Sequence, residues 1–317
     1  MFQRVLAIAA KHKLLDGKTV GVDSTTLEAN AAMKSIVRKD TGEDWQDYVT
    51  RLMREAGQIA ADHTPTAEEI QRFDRRRKDK TVSNAEWQSE TDADAHVTKM
   101  KDGSTHLAYK GEHVIDLESE FALAVTVHSG TAADTKTIID SVMEAQANLQ
   151  AAGCETEIEE VVADKGYHAA ETLELADHYN LRTYIPEKKQ HGQSHLKERP
   201  VAQQRAVKLN HDRMQREKGK RLRRRRSERV ERSFAHLCET GGARRCWLRG
   251  LMKVTKRYLL QAAARNLGLI LRKLFGMGTP RGLQGIAALR ALAYLIMSIV
   301  PWADKLIRRS MIIRAAG

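Results

Sequence analysis

The chain has 317 residues, 42% hydrophobic and 30% charged, a balance that argues against a membrane protein and allows one large core or two moderate ones. Its formal charge of +12 is concentrated in one place: Lys197 to Arg232 holds fifteen Lys or Arg against five Asp or Glu. Clustered cations bind polyanions by releasing condensed counterions, and a solvated, disordered charge run is the alternative reading.

In chain order, the opening "MFQRVLAIAAKHKLLDGK" is too short and too interrupted in its apolar stretch for a signal peptide. "VGVD" then reads as a strand that carries a carboxylate, Asp23, where apolar side chains are expected. An ionised carboxylate in a packed sheet is costly unless paired, hydrogen-bonded or bound to metal. A polar insertion, 31–103, follows; its "TPTAEEIQRF" predicts a helix, and no motif in it carries chemistry. "THLAYKGEHVID" and "FALAVTVHSG" predict an antiparallel hairpin around "LESE". "TKTIIDSVMEAQANLQAAG" has helical spacing and stops at Gly153, "EIEEVVADKGY" predicts a strand breaking into a turn, "AAETLELADHYN" a helix and "LRTYIPEK" another strand. After the basic segment, "SERVERSFAHLCET" has Val230, Phe234 and Leu237 at helical spacing, and a longer helix is predicted from Leu251 to Phe275. Ile286 to Val300 is apolar but short for a membrane span, and reads as a packed or oligomer-forming helix. The order predicts an α/β fold with a mixed sheet flanked by helices. Residues 1–240 would form the core, including the 31–103 insertion and the 197–232 basic segment, and 241–317 a helical C-terminal region. The odd set Cys154, Cys238 and Cys246, without CxxC spacing, suits a reducing cytoplasm.

Three acids stand out together. Asp23 lies on the first strand, Asp164 at the end of "EEVVAD" before Gly166, and Glu231 on the helix after the last strand. Residues at the carboxyl ends of strands line the functional edge of an open α/β sheet. Three converging carboxylates beside a cationic segment predict a two-Mg²⁺ centre for in-line phosphoryl displacement, with Mn²⁺ as a substitute. An Asp alone at a strand end is more often a cap or turn former, and it is the joint placement that points to metal.

"GVDSTTLEAN", "VVADKGYHA" and "VERSFAHLCETGGARRCWLRGLMKV" resemble the three motif blocks of bacterial insertion-sequence transposases of the DDE superfamily, with an RNase H-like catalytic core. The resemblance runs from about Phe2 to about Pro280. It implies Mg²⁺-dependent cleavage at transposon ends and strand transfer into target DNA, with Asp23, Asp164 and Glu231 as metal ligands. Water, and later a DNA 3′-hydroxyl, would attack a phosphodiester with no covalent protein intermediate. It implies double-stranded DNA as partner (terminal inverted repeats and target), a homo-oligomer on that DNA, no membrane, and a bacterial, nucleoid-associated cytoplasmic location. Such transposases usually carry a helical region before the first catalytic Asp, whereas 22 residues precede Asp23 here, so a truncated or internally started copy is expected. The family's Arg four residues before the catalytic Glu and Lys seven after it are replaced by Ser227 and Cys238. Within enzymes the rival reading is a nuclease of the same fold that does not join; outside them, an idle DNA-binding remnant.

Arg221, Arg223, Arg224, Arg225, Arg226, Arg229 and Arg232 are candidates for phosphate contacts. "GGARRCWLRG" adds Arg244, Arg245, Arg249 and Trp247, the last able to stack on a base or to serve as core. His106, His113 and His128 lack zinc-ligand spacing, and Asp92 with Asp94 reads as a turn. Between Glu228 and Glu231, helix geometry places Glu231 about 95° and Glu228 about 155° from the Val230–Phe234–Leu237 stripe. Glu231 is thus expected at the margin of the buried face, on the side of Cys238.

Overall fold

The computed structural model describes residues 1–78, 82–100, 103–188, 195–276 and 293–294. The chain separates into two compact units, Met1–Arg265 and Asn266–Gly317. Of the second, the described part is 266–276 and 293–294, so the packed helix expected at 286–300 falls outside the described residues apart from those two.

The first unit begins with helix α1 (Phe2–Lys11), which the sequence reading did not anticipate. Its Phe2, Val5, Leu6 and Ala9 recur at helical spacing and are buried. Strand β1 (Thr19–Glu28) follows. The insertion is not merely polar: it folds β2 (Ile36–Arg38), α2 (Trp45–Glu55), α3 (Ala67–Arg76) and β3 (Trp87–Ser89) around a small core of Val49, Met53 and Ile70. Trp45, Tyr48 and Trp87 pack ring against ring there, and the guanidinium of Arg38 lies 5.3 Å from the Tyr48 ring centre. The predicted helix at "TPTAEEIQRF" is α3, started by a reciprocal capping box between Thr66 and Glu69. Next come β4 (His96–Lys99), the hairpin strands β5 (Thr105–Asp116) and β6 (Ala122–Ser129), and α4 (Asp134–Ala151), which stops two residues before Gly153.

β7 (Glu160–Val162), α5 (Ala170–His178) and β8 (Arg182–Tyr184) complete the alternating part. The basic segment is not a disordered run. It forms α6 (Val201–Gln215) and α7 (Glu217–Phe234), the latter continuing into a π-helical turn over Ala235–Thr240 before α8 (Leu251–Phe275). α6 is fastened to the end of β8 by Asn210, whose side chain bonds both the N–H and the carbonyl of Ile185.

The main sheet runs β4-β5-β1-β7-β8, with β6 also on β5. β1 is antiparallel to β5 and parallel to β7, and β7 is parallel to β8. This is the mixed sheet flanked by helices that the sequence order predicted. Asp116 organises the hairpin turn: its buried carboxylate accepts from the N–H groups of Glu118 and Ser119 and from those of Asp16 and Gly17 ahead of β1.

α7 crosses β1 closely. A Cβ at Gly21 would lie 2.6 Å from Leu117 Cδ2 and 3.0 Å from both Arg226 Cγ and Val230 Cγ2, so only glycine admits the helix at this depth. Two residue pairs beyond, opposite Asp23, His113 of β5, fully buried, shares a hydrogen bond with Ser233 of α7 (3.0 Å) and one with Tyr258 of α8 (2.6 Å), and stacks on Phe234. Burial, then the charge of Arg265, holds the His113 imidazolium pKa well below its ordinary 6.5. The folded chain therefore keeps His113 neutral while the unfolded chain protonates it as pH falls. Its contribution to stability is complete above about pH 6.5 and shrinks below it. Thermal melts from about pH 7.5 to about pH 5 should show a smaller loss of melting temperature in His113→Gln than in the parent, each relative to its own value at the higher pH. Equal losses would assign the acid sensitivity to other groups.

Candidate active site

Parallel pairing of β1 with β7 brings the two aspartates near each other. Gly21 is opposite Val162, where the pairing ends; Asp23 lies two residues further along β1 and Asp164 two residues past the end of β7. Asp23 sits within β1 rather than at its end, half-buried. Its Oδ1 accepts from the Ser24 N–H at 2.8 Å and its Oδ2 from Arg226 Nη1 at 2.7 Å. Burial pushes the Asp23 carboxyl above its ordinary value; Arg226 and the Ser24 amide pull it down, and Asp164 pushes it up again. Asp164 turns the chain out of β7 as the cap of a short 3-10 turn, its Oδ1 accepting from the Gly166 N–H at 2.7 Å.

Glu231 is exposed on α7, and its Oε1 accepts from the Ser227 hydroxyl at 2.6 Å. Glu228 is exposed too and pairs with Arg232 at 2.7 Å. Of the expected stripe, Val230 and Leu237 are buried and Phe234 is half-buried on His113. The centre of the buried face is shifted from it, since the buried positions of α7 are Gly219, Leu222, Arg226, Val230 and Ser233. At 100° per residue their centre lies about 140° from Glu231 and about 160° from Glu228, so helix phase no longer separates the two. Counting apolar residues alone rotated the helix, because two of its inward side chains, Arg226 and Ser233, are polar and find partners. Cys238 lies in the π-helical turn and is buried. Among the described residues no group of three or more His, Cys, Asp or Glu is arranged to hold a metal ion.

The arginine run divides by partner. Arg226 is 9% exposed and belongs to Asp23. Arg225 pairs with Glu118, and Arg229 and Arg232 with Glu120. These four are tied across α7 to the β5–β6 turn or to β1, while Arg221, Arg223 and Arg224 stand exposed on the same helix. Lys218, from the same segment, bonds the buried Glu160 carboxylate at 2.6 Å. The loop between the π-helical turn and α8 lies along the end of β1: Glu28 N–H donates to the Arg244 carbonyl and Cys246 N–H to the Glu28 carbonyl. Arg244 pairs with Glu239 and Arg245 with Glu28. Trp247 is not core: it is 71% exposed, with the Arg257 guanidinium 4.4 Å from its ring centre. Arg249 Nε donates to the Asn30 carbonyl. Asp92 and Asp94, read as a turn, anchor the start of α8 by accepting from Gly250 and Leu251 N–H, with Tyr109 donating to Asp92.

The sequence reading missed a polar cluster on the α4 side of the sheet. Glu112 and Lys110 of β5 are buried, and Glu112 accepts from Thr137, Ser141 and Tyr167. Lys110 Nζ reaches Asp134 Oδ1 at 2.7 Å and Ser24 Oγ donates to the same oxygen at 3.0 Å. The available signal was two charges at a spacing of two in the middle of a predicted strand, each needing a partner if buried.

Asp23 and Asp164 are hard oxygen donors of the kind a divalent cation takes: the Asp164 charge raises the Asp23 carboxyl, and the Arg226 guanidinium offsets it there. No helix among the described residues is long and apolar enough to cross a membrane. Residues 180–271 match the family model described as Transposase DDE domain. The match covers β8, α6, α7 and most of α8, and so includes Glu231 and the basic segment. No curated protein and no solved structure matches the chain.

Proposed function

We propose that this chain, of which residues 180–271 match the Transposase DDE domain model, is a transposase that cleaves transposon-end DNA and joins the freed end to target DNA, dependent on Mg²⁺ or Mn²⁺. The observation that supports the reading is that Asp23, on β1, and Asp164, two residues past the end of the parallel neighbour β7, lie near enough for the Asp164 charge to raise the Asp23 carboxyl. Those two carboxylates, with Glu231 as third ligand, would hold the metal, which supplies positive charge at the attacking and leaving oxygens. Glu231 is favoured over Glu228 because its carboxylate bonds only a neutral hydroxyl, whereas Glu228 is neutralised by Arg232. Arg226 holds the Asp23 carboxylate in place from beneath α7. Hydrolysis of one phosphodiester would free a 3′-hydroxyl, which then attacks a second phosphodiester and expels its alcohol, so bond number is conserved in the joining step.

Incubation with terminal-repeat DNA, a target plasmid and Mg²⁺ tests the reading. Joined products are expected. Nicking without joining would indicate a nuclease of the same fold, and binding without either a DNA-binding remnant.

The ion pairs narrow the DNA-contact surface. Replacing Arg221, Arg223 and Arg224 with Ala should flatten a plot of log affinity against log salt by up to about 2.7, near 0.9 for each phosphate no longer neutralised. Replacing Arg225, Arg229 and Arg232 should change the slope less and the melting temperature more. The reverse ranking would move the DNA to the hairpin side of α7.

A further inference from the structure

We infer that Asp134 is a positioning residue of this carboxylate pair, fixing where the divalent cation sits by accepting a hydrogen bond from its water. The inference rests on the reading of Asp23 and Asp164 as metal ligands. Asp134 begins α4 and is neither a core residue nor a free surface acid: its side chain is 33% exposed. Its two oxygens have different surroundings. Oδ1 is held by Lys110 Nζ at 2.7 Å and Ser24 Oγ at 3.0 Å. Lys110 is 6% exposed and is itself fixed by Thr137 at 2.8 Å and by Glu112, which Tyr167 and Ser141 support from behind. Ser24 adjoins Asp23 on β1, so the orientation of Asp134 is locked to the strand that carries the first candidate ligand.

Oδ2 faces the second. A Cβ at Gly166 would lie 2.9 Å from Asp134 Oδ2 and 2.8 Å from Asp164 Oδ1. Both carboxylates therefore come close to the point where a side chain at 166 would begin. Asp164 is held there by the Gly166 N–H, and the Gly166 φ is not among the positive ones, so these two oxygens rather than the backbone exclude a side chain at 166. Two acids brought this near repel unless something polar and positive, or a donor held by it, lies between them. Outer partners of this kind orient metal-bound groups, and losing one typically costs about 10- to 100-fold in metal affinity.

Mn²⁺ binding by the full chain without DNA, followed by the electron paramagnetic resonance of the free ion, reads this out apart from activity. Asp134→Asn, which keeps shape and removes charge, should weaken binding about 10-fold or more. Gly166→Ala should weaken it as well by displacing both carboxylates, and Ser24→Ala should have a smaller effect in the same direction. Melts without metal are run beside each titration. Asp23→Asn and Asp164→Asn serve as the reference: if neither weakens Mn²⁺ binding, the ligand assignment fails and this inference with it. If both do while Asp134→Asn and Gly166→Ala bind like the parent, the inference alone is overturned. A lowered melting temperature with unchanged affinity in Asp134→Asn makes the residue purely structural and also overturns it. Should Asp134→Asn fail to fold, Asp134→Ser decides, since Gly166→Ala also displaces Asp164 itself.

Discussion

Changing Asp23 or Asp164 to Asn should reduce divalent-metal-dependent cleavage by about a thousandfold or more, since metal stabilisation of the transition state is worth several kcal/mol and each 1.36 kcal/mol is tenfold. DNA binding should persist or tighten slightly, because a neutral amide no longer repels phosphate. The two variants also separate chemistry from folding. The Asp23 carboxyl is raised above its ordinary 3.8, chiefly by burial, so the folded chain holds that proton more tightly than the unfolded one. Folding therefore loses stability as pH rises from about 3.8 through the folded value, and at neutral pH the ionised group is a net cost. Asn removes that cost and keeps an oxygen for Arg226 Nη1, so the melting temperature of Asp23→Asn should hold or rise. In Asp164→Asn the amide oxygen can still accept from Gly166 N–H. Cleavage at the parent rate in either folded variant would falsify the metal-ligand assignment.

Glu231→Gln should also abolish cleavage, by about a hundredfold or more at saturating Mg²⁺, while Glu228→Gln should cost little. The ranking does not rest on which face of α7 is buried, since both acids are exposed at similar angles from it. It rests on what each carboxylate now holds. Breaking the Glu228–Arg232 pair costs an exposed i, i+4 contact worth about 0.3–0.5 kcal/mol, and Arg232 keeps Glu120. Glu231 must exchange only the Ser227 hydroxyl to become a ligand. The measurement uses one DNA substrate for both variants, with melts to show that α7 is intact. A greater drop in cleavage for Glu228→Gln would move the third ligand one turn along the helix.

Several elements were legible because their causes are local. The hairpin of β5 and β6, the helix over "TKTIIDSVMEAQANL" and the helix at "TPTAEEIQRF" follow from alternation, 3.6-residue spacing and an acidic first turn after Pro. The helix expected over Leu251 to Phe275 has both boundaries as found. Asp23 and Asp164 were legible too, because a charge in or just after a buried strand is anomalous by itself. Less visible were the insertion core, where Trp45 and Tyr48 meet Trp87 from distant sequence, and α1, whose apolar face is a single short stripe.

What the amino-acid sequence determined alone was the kind and order of elements, the positions of the anomalous acids and the excess of positive charge, all of which depend on residues a few positions apart. Only the tertiary structure decided which charges are available. Four of seven candidate arginines on α7 meet carboxylates more than a hundred residues away in the chain, on the β5–β6 turn or, for Arg226, on β1. It also turned α7 so that Arg226 and Ser233 face inward, and brought Asp134 and Asp164 together at Gly166. A charged side chain is placed by the partner that offsets its desolvation, and that partner is set by strand pairing and helix crossing, which local periodicity does not encode.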